Sequence, residues 1–214
     1  MTPYERFYNV LKNPLVIVAY IVLVLLAYFF VDQSVATYFH QLDLSHNLPV
    51  LNWLTALGKW KIYILILGLA GLYFHFIQKN TVYESRSWYL LGCVLIPNIV
   101  GFIIKICLSR ARPELFFEHN SYGFYFLQTK DLYWSLPSGH AVTVFGFVCG
   151  IGLVFPRFFY PVLILAFLVA LSRIVLCQHY VSDVMSGFYL SILVAGLFTD
   201  YLRNKNYLNK IKSL

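Results

Sequence analysis

Six stretches of this sequence are apolar over about 15 to 21 residues, and that feature limits the fold more than any other. They are Pro14 to Val31, Ile62 to Ile77, Trp88 to Leu108, Ala141 to Phe155, Phe158 to Val175 and Val184 to Leu202. A helix needs about 20 apolar residues, at ~1.5 Å each, to cross ~30 Å of hydrocarbon. The chain is 60% hydrophobic and only 12% charged, far from the balance of a water-soluble domain. The sequence therefore predicts an all-α integral membrane protein: a six-transmembrane-helix bundle forming one domain over residues 1–214. The first run is longer than the apolar core of a signal peptide and is read as a retained helix.

Between the first two spans, Leu48, Leu51, Leu54 and Leu57 recur near helical spacing with Val50, Trp53 and Trp60 beside them. This pattern predicts an interfacial amphipathic helix. The one long polar loop runs from Ser109 to Ser135, where Glu114, Glu118, His119 and Lys130 are read as solvated charges.

Cysteine chemistry is a poor fit. Cys93, Cys107, Cys149 and Cys177 lie in or beside apolar runs without metal-site spacing. None is followed six residues later by the Arg that a cysteine phosphatase requires. The net charge of +7 is spread over short loops and the tail, so it does not make a nucleic-acid stripe. With both termini on one side, that side carries nine Lys and Arg residues: Arg6, Lys12, Lys79, Arg86, Arg157, Arg203, Lys205, Lys210 and Lys212. The other carries Lys59, Lys61, Arg110 and Lys130 once Lys105, Arg112 and Arg173 are set aside as functional. This asymmetry predicts cytoplasmic termini and a site at the non-cytoplasmic face; the absence of an Asn-x-Ser/Thr sequon fits a bacterial inner membrane, where that face is periplasmic.

The functional candidates are the charged residues that membrane depth makes costly. Lys105 and Arg112 are seven apart, two turns of one face if the helix continues, with Pro113 ending it. Pro137-Ser138-Gly139-His140 stands at the entry of the fourth span, where free N–H groups and the helix dipole favour an anion. His140 has the chemistry to protonate a leaving oxygen. Ser172-Arg173 is followed by His179 and Asp183, four apart, a spacing that lets the carboxylate orient the imidazole. The six-span layout brings all three clusters to one membrane face.

Read together, Lys105-x6-Arg112-Pro113, Pro137-Ser138-Gly139-His140 and Ser172-Arg173-x5-His179-x3-Asp183 resemble the three-part signature of the type 2 phosphatidic acid phosphatase family, which includes the vanadium haloperoxidases. The resemblance spans the second to sixth runs with no departure at a signature position. It implies a lipid phosphate phosphatase with His179 as nucleophile, Asp183 polarising it and His140 as general acid. Lys105, Arg112, Arg173, Ser138 and Gly139 would bind the phosphoryl oxygens, with no metal and no other cofactor. The implied partners are a lipid phosphate substrate and the bilayer, with no nucleic acid. A phosphotransferase passing phosphate to a second lipid and a transporter of anions or lipids are the alternatives.

Overall fold

The computed structural model describes residues 1–44, 49–208 and 211, and the helices named here are those among them. Leu48, Lys210 and Lys212, used in the readings above, lie outside the described residues. Among the described residues, regular structure is helical apart from a single bridge between Arg110 and Phe124.

A short helix α1 (Pro3–Leu11) precedes α2 (Pro14–Leu26), which runs through a single π-turn at Ala27–Val31 into α3 (Asp32–Leu42). The extra residue in that turn makes the Asp32 N–H donate to the Ala27 carbonyl, five residues back. Pro14–Leu42 is thus one long helical run, and the amphipathic segment expected over Asp32 to Lys61 is divided differently. Its beginning continues the first helix. Its end, α4 (Pro49–Ala56), leads at 50° into α5 (Trp60–Phe76).

The remaining helices are α6 (Thr81–Leu108), α7 (Pro113–His119), α8 (Gly139–Val154), α9 (Phe159–Val175) and α10 (Val181–Asn204). The helix α6 starts seven residues before its apolar run because Asn80 caps the N–H groups of Val82 and Tyr83 at 3.2 Å. Among the described residues, four helices are long and apolar enough to cross a membrane, or five with α4 and α5 taken as one bent span. The expected sixth, α8, has only 16 residues, about 24 Å of helix. It is the centre of the bundle, packed against α6, α9 and α10, and 13 of its residues are buried. A helix surrounded by helices has no lipid thickness of its own to match, so apolar length understates its place in the fold.

Close packing explains part of that core. A Cβ on Gly146 would stand 2.4 Å from the Cys93 carbonyl oxygen of α6, so only glycine lets these two backbones approach. The Gly146–Gly150 pair is spent inside the chain, with Leu90 and Cys93 filling the space over Gly150.

Candidate active site

The C-terminal ends of α6 and α9 and the N-terminal ends of α8 and α10 meet at one end of the bundle. A cavity of about 530 Å³ opens there, lined by Lys105, Arg112, Gly139, His140, Arg173 and His179, with Lys59 and Lys61 at its rim. Among the described residues on its wall there is no carboxylate, so the cavity is strongly electropositive.

Helix ends set the positions. Helix α6 stops at Leu108 because Ser109 turns left-handed (φ 45°), not at Pro113, which opens α7 behind Arg112 as its N-cap. Lys105 and Arg112 therefore do not share a continuous helix face, yet both reach the cavity. The loop residues Asp131 to Ser135 brace them: Lys105 Nζ donates to the Trp134 carbonyl at 2.7 Å, and Arg112 Nε to the Asp131 carbonyl at 3.0 Å. The residues Glu114, Glu118, His119 and Lys130 stay exposed.

Ser138 is the N-cap of α8, Gly139 and His140 form its first turn, and the Ser138 N–H is tied to the Asp183 carbonyl at 3.0 Å. Gly139 lines the cavity. The Ser138 hydroxyl is wholly buried behind it without a hydrogen-bond partner. His140 Nε2 is likewise buried and unpartnered. At the end of α9 the chain reverses through a left-handed Cys177, and the His179 N–H returns to the Arg173 carbonyl at 3.2 Å. That reversal sets the Arg173 guanidinium and the His179 ring on the same wall. Arg173 donates to Thr55 Oγ1 at 2.8 Å while its Nε has no partner.

His179 precedes α10 instead of lying on it, and Asp183 sits in that helix's first turn. The Asp183 Oδ2 accepts from the Tyr180 N–H at 2.9 Å and from Ser135 Oγ at 2.6 Å, and lies 3.5 Å from His179 Nδ1. That last distance is long for a hydrogen bond, as such contacts often are before substrate arrives. Burial pushes the His179 pKa well below its ordinary value, against the opposing pull of Asp183. The ring is therefore neutral at pH 7, the form in which a ring nitrogen has a free lone pair. A neutral imidazole oriented by a carboxylate and facing cations is suited to attack an electrophile that bears negative oxygens.

A family model described as the PAP2 superfamily matches residues 86–207. The chain belongs to the PAP2 superfamily. Similar curated proteins include two described as lipid A 1-phosphatases. That of Rhizobium johnstonii is 30% identical over 162 residues, 68% of this chain and 65% of the relative. That of Rhizobium etli is 31% identical over 104 residues, 47% of this chain and 45% of the relative. The chain thus matches just under two thirds of the one relative and under half of the other. A solved transmembrane PAP2-type phosphatidylglycerolphosphate phosphatase from Bacillus subtilis is 19% identical, with a TM-score of 0.47 and 94% of each chain covered.

The matched stretch of this PAP2 membrane protein holds all three motifs but not everything at the site. Thr55, Gly58 and Asp32 precede it. A Cβ on Gly58 would lie 2.5 Å from Cδ2 of His140, so the α4–α5 bend sits directly on that ring. The sequence places Arg110 among the loop cations, and the structure corrects this: it is fully buried. Its Nη1 donates to Asp183 Oδ1 and, at 2.6 Å, to Ser182 Oγ, and its Nη2 to Asp32 Oδ2 at 2.7 Å. Burial opposes its charge, but the two carboxylates outweigh it and raise its pKa. Removing one partner of such a buried pair typically costs about 3–5 kcal/mol. Within the motif Arg110 is a variable position, so its pattern did not single it out; the depth at which a charge two residues before Arg112 would lie was the available signal.

Proposed function

We propose that this protein is a lipid phosphate phosphatase that hydrolyses a phosphomonoester or diphosphate through a phosphohistidine on His179. The observation that carries the reading is the joint lining of one cavity by His179, His140, Lys105, Arg112 and Arg173, with Asp183 behind His179. His179, neutral and oriented through Nδ1, attacks phosphorus with Nε2 while the P–O bond to the lipid breaks. His140 gives its proton to the departing lipid oxygen, then takes one from water as that water attacks the phosphohistidine and frees inorganic phosphate. Three other cations and the Gly139 N–H neutralise the charge on the phosphoryl oxygens, so the proposal needs no metal. To act as the acid, His140 must hold a proton among these cations. A bound phosphate supplies the negative charge that lets it hold one.

Candidate substrates are undecaprenyl diphosphate, phosphatidylglycerophosphate, phosphatidic acid and lipid A phosphates. The description of the Rhizobium relatives favours a lipid A type phosphate. Counting α8 as a span gives six, with the termini cytoplasmic and the site at the periplasmic face of a bacterial inner membrane. Burial of Arg110 removes it from the loop charges of that face and widens the asymmetry.

The test is release of inorganic phosphate from a panel of purified lipid phosphates in detergent, without an added acceptor. Wild type should release it and His179→Ala should not. A tenth of the wild-type rate surviving in His179→Ala would sink the mechanism, and phosphate release only with an acceptor lipid would favour transfer over hydrolysis.

A further inference from the structure

We infer that Asp32, on the first long helix and outside all three motifs, is a positioning residue that acts through Arg110 to hold the Asp183 carboxylate for His179. The inference rests on the phosphohistidine reading above.

Among the described residues, none of α2 is buried, and most of this helix faces outward. Beyond the π-turn Asp32 and Ala36 are buried, and the Asp32 side chain is fully enclosed. The turn lies just before Asp32, and Tyr28 and Asp32 both face Arg110. The guanidinium lies 4.9 Å from the Tyr28 ring centroid and 4.4 Å from that of Tyr180. The Tyr28 carbonyl accepts from the Tyr122 hydroxyl at 2.6 Å. The site is closed further by Ser182, whose N–H donates to Asp32 Oδ1 at 2.9 Å and whose hydroxyl donates to Oδ2 at 2.5 Å.

A plain anchor for the first helix does not need this arrangement. Arg110 paired with Asp183 alone, through both nitrogens, would cancel the carboxylate's charge. Dividing the fork, with Nη1 on Asp183 and Nη2 on Asp32, leaves the three groups with a net charge of −1 beside the His179 ring. Asp183 is then gripped at Oδ1 by Arg110 and at Oδ2 by Ser135 and the Tyr180 N–H. Its remaining negative character points toward Nδ1 of His179. Asp32 thus fixes both the geometry of the carboxylate and how much of its charge the imidazole feels.

The test is steady-state kinetics of Asp32→Asn, which keeps the shape and the acceptor for the Ser182 N–H but removes the charge. The turnover number should fall about tenfold or more, the loss of one charged hydrogen bond's worth of stabilisation. KM and inhibition by vanadate should stay within about twofold, because Lys105, Arg112 and Arg173 are untouched. Tyr89→Phe is the control. It removes the buried bond between the Tyr89 and Thr199 hydroxyls at 2.8 Å, near the end of α10 opposite the site, and should lower thermal stability while leaving turnover unchanged. Should Asp32→Asn fail to fold, Ser182→Ala decides: it frees one Asp32 oxygen from its hydroxyl donor and should lower turnover in the same KM-neutral way. Wild-type turnover in the folded variant, or equal losses in turnover and vanadate affinity, would overturn the inference. Activity in His179→Ala would instead remove the reading beneath it.

Discussion

The His140 ring has no room to move toward α5. A methyl group on Gly58 would approach Cδ2 to 2.5 Å and Cβ to 2.8 Å, closer than real carbon contacts. Gly58→Ala should therefore push the imidazole off line, and a shift of about 1 Å in a reacting group can cost a hundredfold in rate. We expect turnover to drop at least about tenfold while phosphate affinity changes little, read by phosphate release and by vanadate inhibition. Full turnover in Gly58→Ala would mean that His140 has slack or no part in the rate-limiting step. Nothing in the sequence marks Gly58 for this role: it lies 82 positions from His140 in a segment with no motif. His140, His179, Lys105 and Arg173 were legible because their chemistry is costly at membrane depth. Depth marks Arg110 as costly too, but its partner Asp32, 78 residues away, is shown only by the folded chain.

Helix ends, more than helix interiors, build this site, and they are where hydropathy is least informative. Apolar runs locate the middle of α6 but not its capped start at Asn80. Nor do they locate its stop at the left-handed Ser109, since Pro113 is the stronger punctuation in the sequence. Termination at Leu108 lets residues 109–112 cross the end of the bundle, burying Arg110 and delivering Arg112 to the cavity. The position of α8 against α6 then decides whether Gly139 and His140 face Lys105. Gly146→Leu places a side chain where the Cys93 carbonyl stands and should separate the two helices. Overpacking of this kind costs about 1–3 kcal/mol, so the detergent-solubilised protein should unfold at a lower temperature, with turnover per folded molecule reduced as well. Unchanged melting would show that α6 and α8 can part without loss.

At the scale of the whole molecule, the proposed lipid substrate requires the charged cavity to admit a headgroup whose chains remain in lipid. A second hollow of about 450 Å³ adjoins it and shares Trp60, Lys105 and Gly139 with it. Its walls are otherwise almost wholly apolar, with Leu95, Ile99, Phe102, Pro137 and Val142 between α5, α6 and α8. The arrangement suits an amphiphile: anionic oxygens among the cations and a hydrocarbon chain along α6. Ile99 faces outward on this groove, so a larger ring there can fill the groove without entering the core. Ile99→Trp should lower kcat/KM for a long-chain lipid phosphate about tenfold, which corresponds to ~1.4 kcal/mol of lost chain contact. Hydrolysis of a short-chain, water-soluble phosphate should be unaffected, because that substrate uses only the cavity. Equal losses for both would mean that the ring disturbs the site itself. No loss for either would send the chain elsewhere, and the other apolar hollow, lined by Tyr20, Ile104 and Leu190 on the far side of Pro137, would be the next place to block.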